Sequence, residues 1–246
     1  MNIELPIIEK YEIKPSLFVN VVRCDVIEGG FKRLVIDGVY SKSKADTLVF
    51  ASNSLGSGPL ALTSSLQGTN KKVIIFLSKS DSISNNLILC EKMGAQLDFS
   101  GNADLFDSDS LRKEALVKYF DKQYEVLPLG LANEDVKLNI AKVAKEIFSK
   151  NTPKDIWLVA ASGMTLRGLQ IAFPKTQFHA VLVKGNNPDT GNAKVYKPKE
   201  NFKEKAKITP PYPANPNYDA KVWEVLLESD EKENITDDTV IFNIAI

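Results

Sequence analysis

The chain has 246 residues, 43% of them hydrophobic and 25% charged. That is enough for one large domain or two small lobes and too apolar for a disordered chain. Lys plus Arg and Asp plus Glu number 31 each, with two cysteines (Cys24, Cys90) and one histidine (His179), which excludes a whole-molecule basic field, a disulfide framework, a four-thiolate zinc site and any site needing two imidazoles.

In chain order, Glu28-Gly29-Gly30-Phe31-Lys32-Arg33 opens an amphipathic stretch over 34–40. A lysine at a helix start lies near the positive end of the helix dipole and beside Arg33. Both favour its neutral amine, the form that Schiff-base chemistry needs; a solvated surface turn is the structural alternative. Residues 47–51 read as a buried strand. It leads through a Ser/Gly loop at 52–58 into a helix over 59–67, with Pro59 in its first turn and Gly68 as its stop. A strand at 72–77, a helix at 82–93 stopped by Gly94 and a strand at 95–99 follow. The periodicity then predicts a helix over 108–122 carrying Leu111, Ala115 and Tyr119, a strand at 124–127 and a helix over 133–148. Residues 155–161 form the strongest buried strand. They run through Ser162-Gly163-Met164-Thr165 into a helix ending near 173–174, with a strand at 178–183 after it. Over 185–217 Pro, Asn, Gly and Lys dominate, predicting a long excursion with one short strand at 194–197. A helix over 218–228, an acidic solvated turn over 228–238 and a strand over 239–244 complete the pattern.

Strand–helix alternation with continuous apolar strands predicts an α/β fold of parallel twisted sheets flanked by helices. The apolar runs are far shorter than a membrane span. The first residues show no cationic stretch followed by an apolar one, so a cytoplasmic, reducing setting without membrane contact is expected. In such sheets ligands gather where strand carboxyl ends meet helix amino ends. The loops at 52–58 and 162–165 have that placement. Their small residues let backbone N–H groups approach an anion, and neither has P-loop or dinucleotide spacing. For the second loop a plain helix cap is the structural alternative. Lysines interleaved with Tyr196 and Phe202 over 194–207 suit either nucleic-acid phosphate or a solvated loop, and the zero net charge favours the loop. His179, Cys24, Cys90, Trp157 and Trp223 read as core residues.

Taken together in order, Gly29-Gly30-Phe31-Lys32, the Thr47-Leu48-Val49 strand with its Ser/Asn/Gly loop, Gly94-Ala95, Ser162-Gly163-Met164-Thr165 and Tyr218-Asp219-Ala220-Lys221 resemble a family. The likeness is to the tryptophan-synthase-β-like (fold type II) pyridoxal-phosphate enzymes, nearest the 1-aminocyclopropane-1-carboxylate deaminase and D-cysteine desulfhydrase branch, over roughly residues 26–246. Phe31 stands where those members carry asparagine. The resemblance implies a unit with two lobes, a smaller one over about 47–130 and a larger one from 1–46 with 131–246. It implies pyridoxal 5'-phosphate held as a Schiff base by Lys32, its phosphate on Ser162, Gly163, Met164 and Thr165. The ring nitrogen is usually met by a neutral Ser or Thr in that family; here Asn243 has the matching place, with a strand-end cap as its alternative. Ser52, Asn53, Ser54 and Ser57 would bind a substrate carboxylate, and Tyr218 would approach the cofactor or anchor its helix. The implied activity is that of a lyase or deaminase acting on an amino acid or amine-bearing substrate, as a homodimer. Short members with Gly-Gly-x-Lys-Arg also resemble phage-encoded relatives. The rival readings are a non-catalytic α/β binding module and an enzyme modifying nucleotides or DNA bases through the excursion at 185–217.

Overall fold

The computed structural model describes residues 4–183, 188–228 and 235–245. In chain order its elements begin with β1 (Ile7–Lys14), β2 (Leu17–Arg23), α1 (Gly30–Ile36), β3 (Thr47–Ala51), α2 (Gly58–Ser65), β4 (Lys72–Ser78), α3 (Asn85–Lys92) and β5 (Gln96–Gly101). They continue with α4 (Ser108–Lys118), β6 (Tyr124–Val126), α5 (Glu134–Ile147), β7 (Asp155–Ala160), α6 (Met164–Ala172), β8 (Gln177–Leu182), β9 (Lys194–Tyr196), α7 (Ala220–Glu228) and β10 (Thr239–Asn243). The chain divides into two units, Met1–Phe31 with Lys137–Ile246, and Lys32–Val136.

In the first unit a six-stranded sheet has the order β1-β2-β10-β7-β8-β9. Every neighbouring pair is parallel except β1 with β2, which form an antiparallel hairpin. β7 and β10 are buried almost throughout, as continuous apolar strands of a covered parallel sheet should be. α6 and α7 both pack on β7 and β8. α6 also closes tightly on α5 through Gly168, where a Cβ would lie 2.4 Å from the Ile140 side chain. His179 is structural: its Nδ1 meets the Tyr196 hydroxyl at 2.8 Å and its Nε2 meets Asp155 at 2.7 Å. Its ring stacks on Trp157 with centroids 4.1 Å apart.

The second unit holds a four-stranded, fully parallel sheet in the order β5-β4-β3-β6. Val49, Ala51, Ile74 and Phe76 meet Leu111 and Ala115 of α4 in its core. The helix expected over 108–122 stops at Lys118, and Tyr119, its C-cap, sets its ring edge-on to Phe76 and Tyr124.

The hairpin β1–β2 has no counterpart among the predicted elements. Its outer strand is an edge, so Ile8, Lys10, Glu12 and Lys14 are exposed on one face and blur the apolar pattern. Predicted helices begin early where a loop side chain has other work. Asp81 accepts from the Ser54 N–H and hydroxyl and from the Ser82 N–H, and α3 starts only after Ser84, whose hydroxyl caps it. The acidic run expected over 228–238 and the start of the excursion at 185 lie partly outside the described residues. Among the described residues no helix is long and apolar enough to cross a membrane.

Candidate functional site

β2, β10 and β7 run side by side in the same direction, so their carboxyl ends open at one end of the sheet. β2 leads towards α1, β7 into the loop before α6, and β10 ends at Asn243. This is where an open α/β sheet gathers ligands.

The loop after β7 ends in Gly163, the N-cap of α6, held in the left-handed region at φ 78°. A Cβ there would lie 2.6 Å from the carbonyl oxygen of Asp189, so only glycine fits. No side chain caps α6; Ser162 Oγ reaches the Met164 N–H only at 3.5 Å and is itself exposed. Among the described residues the plain-cap alternative is met by no closer side chain, and the first-turn N–H groups are of the kind that can receive an anion. Met164 and Thr165 are half-buried in that turn. Residues 189 and 190, which follow β8, are tied to the same helix by the Arg167–Asp189 ion pair at 3.1 Å and by Gln170, whose Nε2 donates to the Thr190 carbonyl at 3.0 Å.

Asn243 is 1% exposed. Its Nδ2 donates to Asp25 Oδ1 at 2.7 Å and to the Pro213 carbonyl at 2.9 Å. Its Oδ1 is buried without a hydrogen-bond partner among the described residues. Asp25 is clamped in turn by Arg23, with Nε on Oδ1 at 2.8 Å and Nη2 on Oδ2 at 2.7 Å. Asp219, in the Tyr-Asp-Ala-Lys segment, accepts the Ile244 N–H at 2.8 Å. Burial pushes its carboxyl up to about 7, against the pull of the Ile244 and Ala245 N–H groups. Burial also pushes the Cys24 thiol well up, with Asp219 and Asp25 adding to it. Tyr218 packs its ring edge-on to Phe202, with centroids 4.9 Å apart. Lys221 is fully buried and donates to the Asn201 carbonyl at 2.8 Å.

α1 begins at Gly30, where a Cβ would lie 2.4 Å from the Ile244 carbonyl oxygen. The Phe31 N–H donates to that oxygen at 2.9 Å. The Phe31 ring is fully buried, edge-on to Phe242 at 4.8 Å. The phenylalanine in place of the expected asparagine is thus a core residue.

In the other unit, Lys32 is half-buried, its Nζ 3.9 Å from where a Cβ of Gly58 would stand. Arg33 is buried and paired with Asp37 at 2.9 Å, so its charge is neutralised locally. Gly58 opens α2, which no side chain caps and which carries Pro59 in its first turn. The preceding loop is held from within: Asn53 Oδ1 accepts the Leu55 N–H at 3.1 Å and Ser54 is bound to Asp81. Ser52 and Ser57 are half-buried, and the Ser52 hydroxyl makes a long bond, 3.4 Å, to the Asn53 carbonyl.

Asp25, Arg23 and Asp219 were not singled out by the sequence. Arg23 and Asp25 follow an apolar strand directly and precede Gly29-Gly30, a placement that would have flagged them had β2 been recognised.

No protein-family model matches the sequence, and no curated protein matches it. Solved structures match by fold. An ACC deaminase homologue superposes with a TM-score of 0.76 at 15% identity, covering 98% of this chain and 89% of that one. A fungal L-serine ammonia-lyase from Rhizomucor miehei gives 0.71 at 11% identity, covering 98% and 93%. A hydrogen sulfide-producing enzyme from Fusobacterium nucleatum gives 0.65 at 13% identity, covering 98% and 94%. The chain has the tryptophan-synthase-β-like, fold type II architecture that its motifs resemble.

Proposed function

We propose that the protein is a pyridoxal-phosphate-dependent enzyme of the lyase or deaminase class acting on an amino acid. The observation that carries this is the Lys32 amine standing at the glycine-opened, uncapped start of α2, in a chain of this fold. The residues fit the cofactor. The α6 start with Ser162, Gly163, Met164 and Thr165 offers hydroxyls and N–H donors to a phosphate, and Asn243 Oδ1, buried without a partner among the described residues, could accept from a protonated ring nitrogen. When bound, the cofactor supplies an electron sink for negative charge at the carbon beside the substrate amine.

Lys32 Nζ holds the cofactor and is the group that moves a proton at that substrate carbon. The start of α2 with Ser52 and Ser57 binds the substrate carboxylate, N–H and hydroxyl donors meeting a negative charge at a positive helix end. Asn53 and Ser54 keep that loop in shape through their bonds to Leu55 and Asp81. Tyr218, anchored on Phe202, lines the cofactor's surroundings. A homodimer in a reducing cytoplasm, with a phage-type source, belongs to the same proposal and rests on the resemblance. The nucleic-acid alternative is not favoured: Tyr196 is engaged with His179, and Phe202 is buried against Tyr218, so neither ring is presented for stacking on bases.

The test is an absorbance scan of the purified protein with added pyridoxal phosphate, then borohydride reduction and peptide mass mapping. A visible band and a mass adduct on Lys32, both lost in Lys32→Ala, are expected. A colourless wild type overturns the cofactor assignment, and an adduct on Lys221 overturns that of Lys32.

A further inference from the structure

Asn243 can serve only one kind of partner. Its amide hydrogens both point at acceptors, Asp25 Oδ1 at 2.7 Å and the Pro213 carbonyl at 2.9 Å. Turning the amide over would set its oxygen against those two oxygens, so the orientation is fixed by chemistry. The remaining atom, Oδ1, is an acceptor with no partner among the described residues, on a residue 1% exposed. A buried acceptor left unsatisfied is unfavourable, so a donor is called for there. Serine or threonine at this place could rotate its hydroxyl either to donate or to accept; this amide has no donor left for a further partner.

The constraint has a second layer. Asp25 would not hold the amide unless it were itself fixed, and it is: its side chain is 2% exposed and gripped through both oxygens by Arg23. Arg23 is anchored on its far side by the Tyr11 hydroxyl at 2.6 Å and by Glu9. The charge-assisted pair with Asp25 raises the Arg23 pKa and keeps the guanidinium cationic.

We propose that Asn243 is an obligate acceptor, so that the cofactor binds with its ring nitrogen protonated, and that Asp25, clamped by Arg23, is the positioning residue enforcing this. The inference rests on the reading that Asn243 meets the cofactor ring. It makes this chain depart from the Ser/Thr pattern of the family it resembles, towards a stronger electron sink.

The experiment loads the full-length protein with pyridoxal phosphate carrying ¹⁵N in its ring and records the nitrogen resonance. The free cofactor in acid and in base supplies the two reference positions. Circular dichroism checks that each variant is folded. The wild type is expected at the protonated position. Asn243→Ser and Asp25→Asn are expected to move the resonance towards the unprotonated position, and Asp25→Glu, which keeps a carboxylate, to hold it. A wild-type nitrogen at the unprotonated position overturns the inference without needing any variant to fold. A protonated resonance indifferent to Asn243→Ser also overturns it, and would point to a buried water on Oδ1. Asp25→Glu behaving like Asp25→Asn overturns the positioning role. In those cases a borohydride adduct on Lys32 leaves the cofactor reading intact, whereas no bound cofactor at all overturns that reading and this inference together.

Discussion

One glycine opens α1 and another follows it, and exchanging each for alanine separates backbone strain from steric conflict. Gly30 has φ 67° and Gly38 has φ 69°. Alanine in that left-handed conformation costs about 1–2 kcal/mol at either position. The stiffer unfolded chain offsets about 0.4–1 kcal/mol of it in both. The surroundings differ. A Cβ at Gly38 meets nothing within 4 Å, whereas one at Gly30 stands 2.4 Å from the Ile244 carbonyl oxygen and 2.8 Å from the Ala245 Cβ. Gly30→Ala therefore adds an overpacking penalty of about 1–3 kcal/mol. It also disturbs the Phe31–Ile244 hydrogen bond, adding about 0.5–1.5 kcal/mol. The expected gap between the variants is thus roughly 2–4 kcal/mol, or about 5–15 °C in midpoint for a chain of this size. Urea and thermal unfolding measure it. Fluorescence follows Trp157 and Trp223, which share a unit with Gly30, and circular dichroism follows the whole chain. Equal stability of the two variants would refute the view that the start of α1 is wedged against the end of the chain.

Asp219→Asn addresses the buried carboxyl. With its folded pKa at about 7 and an unfolded value of about 3.9, the folded form binds the extra proton between them. Stability is then fully present below about pH 4 and falls as pH rises through about 7. The variant should lose a slope of up to about 1.4 kcal/mol per pH unit in that window, and urea midpoints with the same slope as wild type would sink the assignment. Both thiols are buried, and burial holds the Cys24 thiol protonated, so a thiol reagent should label Cys24 and Cys90 only after denaturant is added; fast labelling of the native protein contradicts this. Tyr212→Phe removes a buried hydroxyl without a partner among the described residues and should be neutral or stabilising, whereas Tyr40→Phe removes a donor to the Leu131 carbonyl at 3.0 Å and should cost about 1 kcal/mol. A reversed order in chemical denaturation would show that Tyr212 has a partner, such as a buried water.

Much of the fold could be read along the chain because continuous apolar runs, glycine stops and helical spacing are local signals. The strand at 47–51 and the helix carrying Leu111 and Ala115 came from such signals. β1 did not, because an edge strand faces water with its charges and is a strand only through its pairing with β2. Candidate ligand loops at 52–58 and 162–165 were legible from their small residues between strand and helix. Which hydroxyls remain available in them was not, since Ser54 is tied to Asp81, a residue 27 positions away.

The order of residues alone determined the layered α/β class and the placement of the Ser/Gly loops between strand and helix, because each depends on neighbours within a few positions. The tertiary structure decided which polar atoms are satisfied. Asn243 meets Asp25, 218 positions earlier, and Ile244 meets both Asp219 and the start of α1. Hydrogen bonding is short-ranged and directional, so an acceptor's availability is settled only when strands distant in sequence are laid side by side.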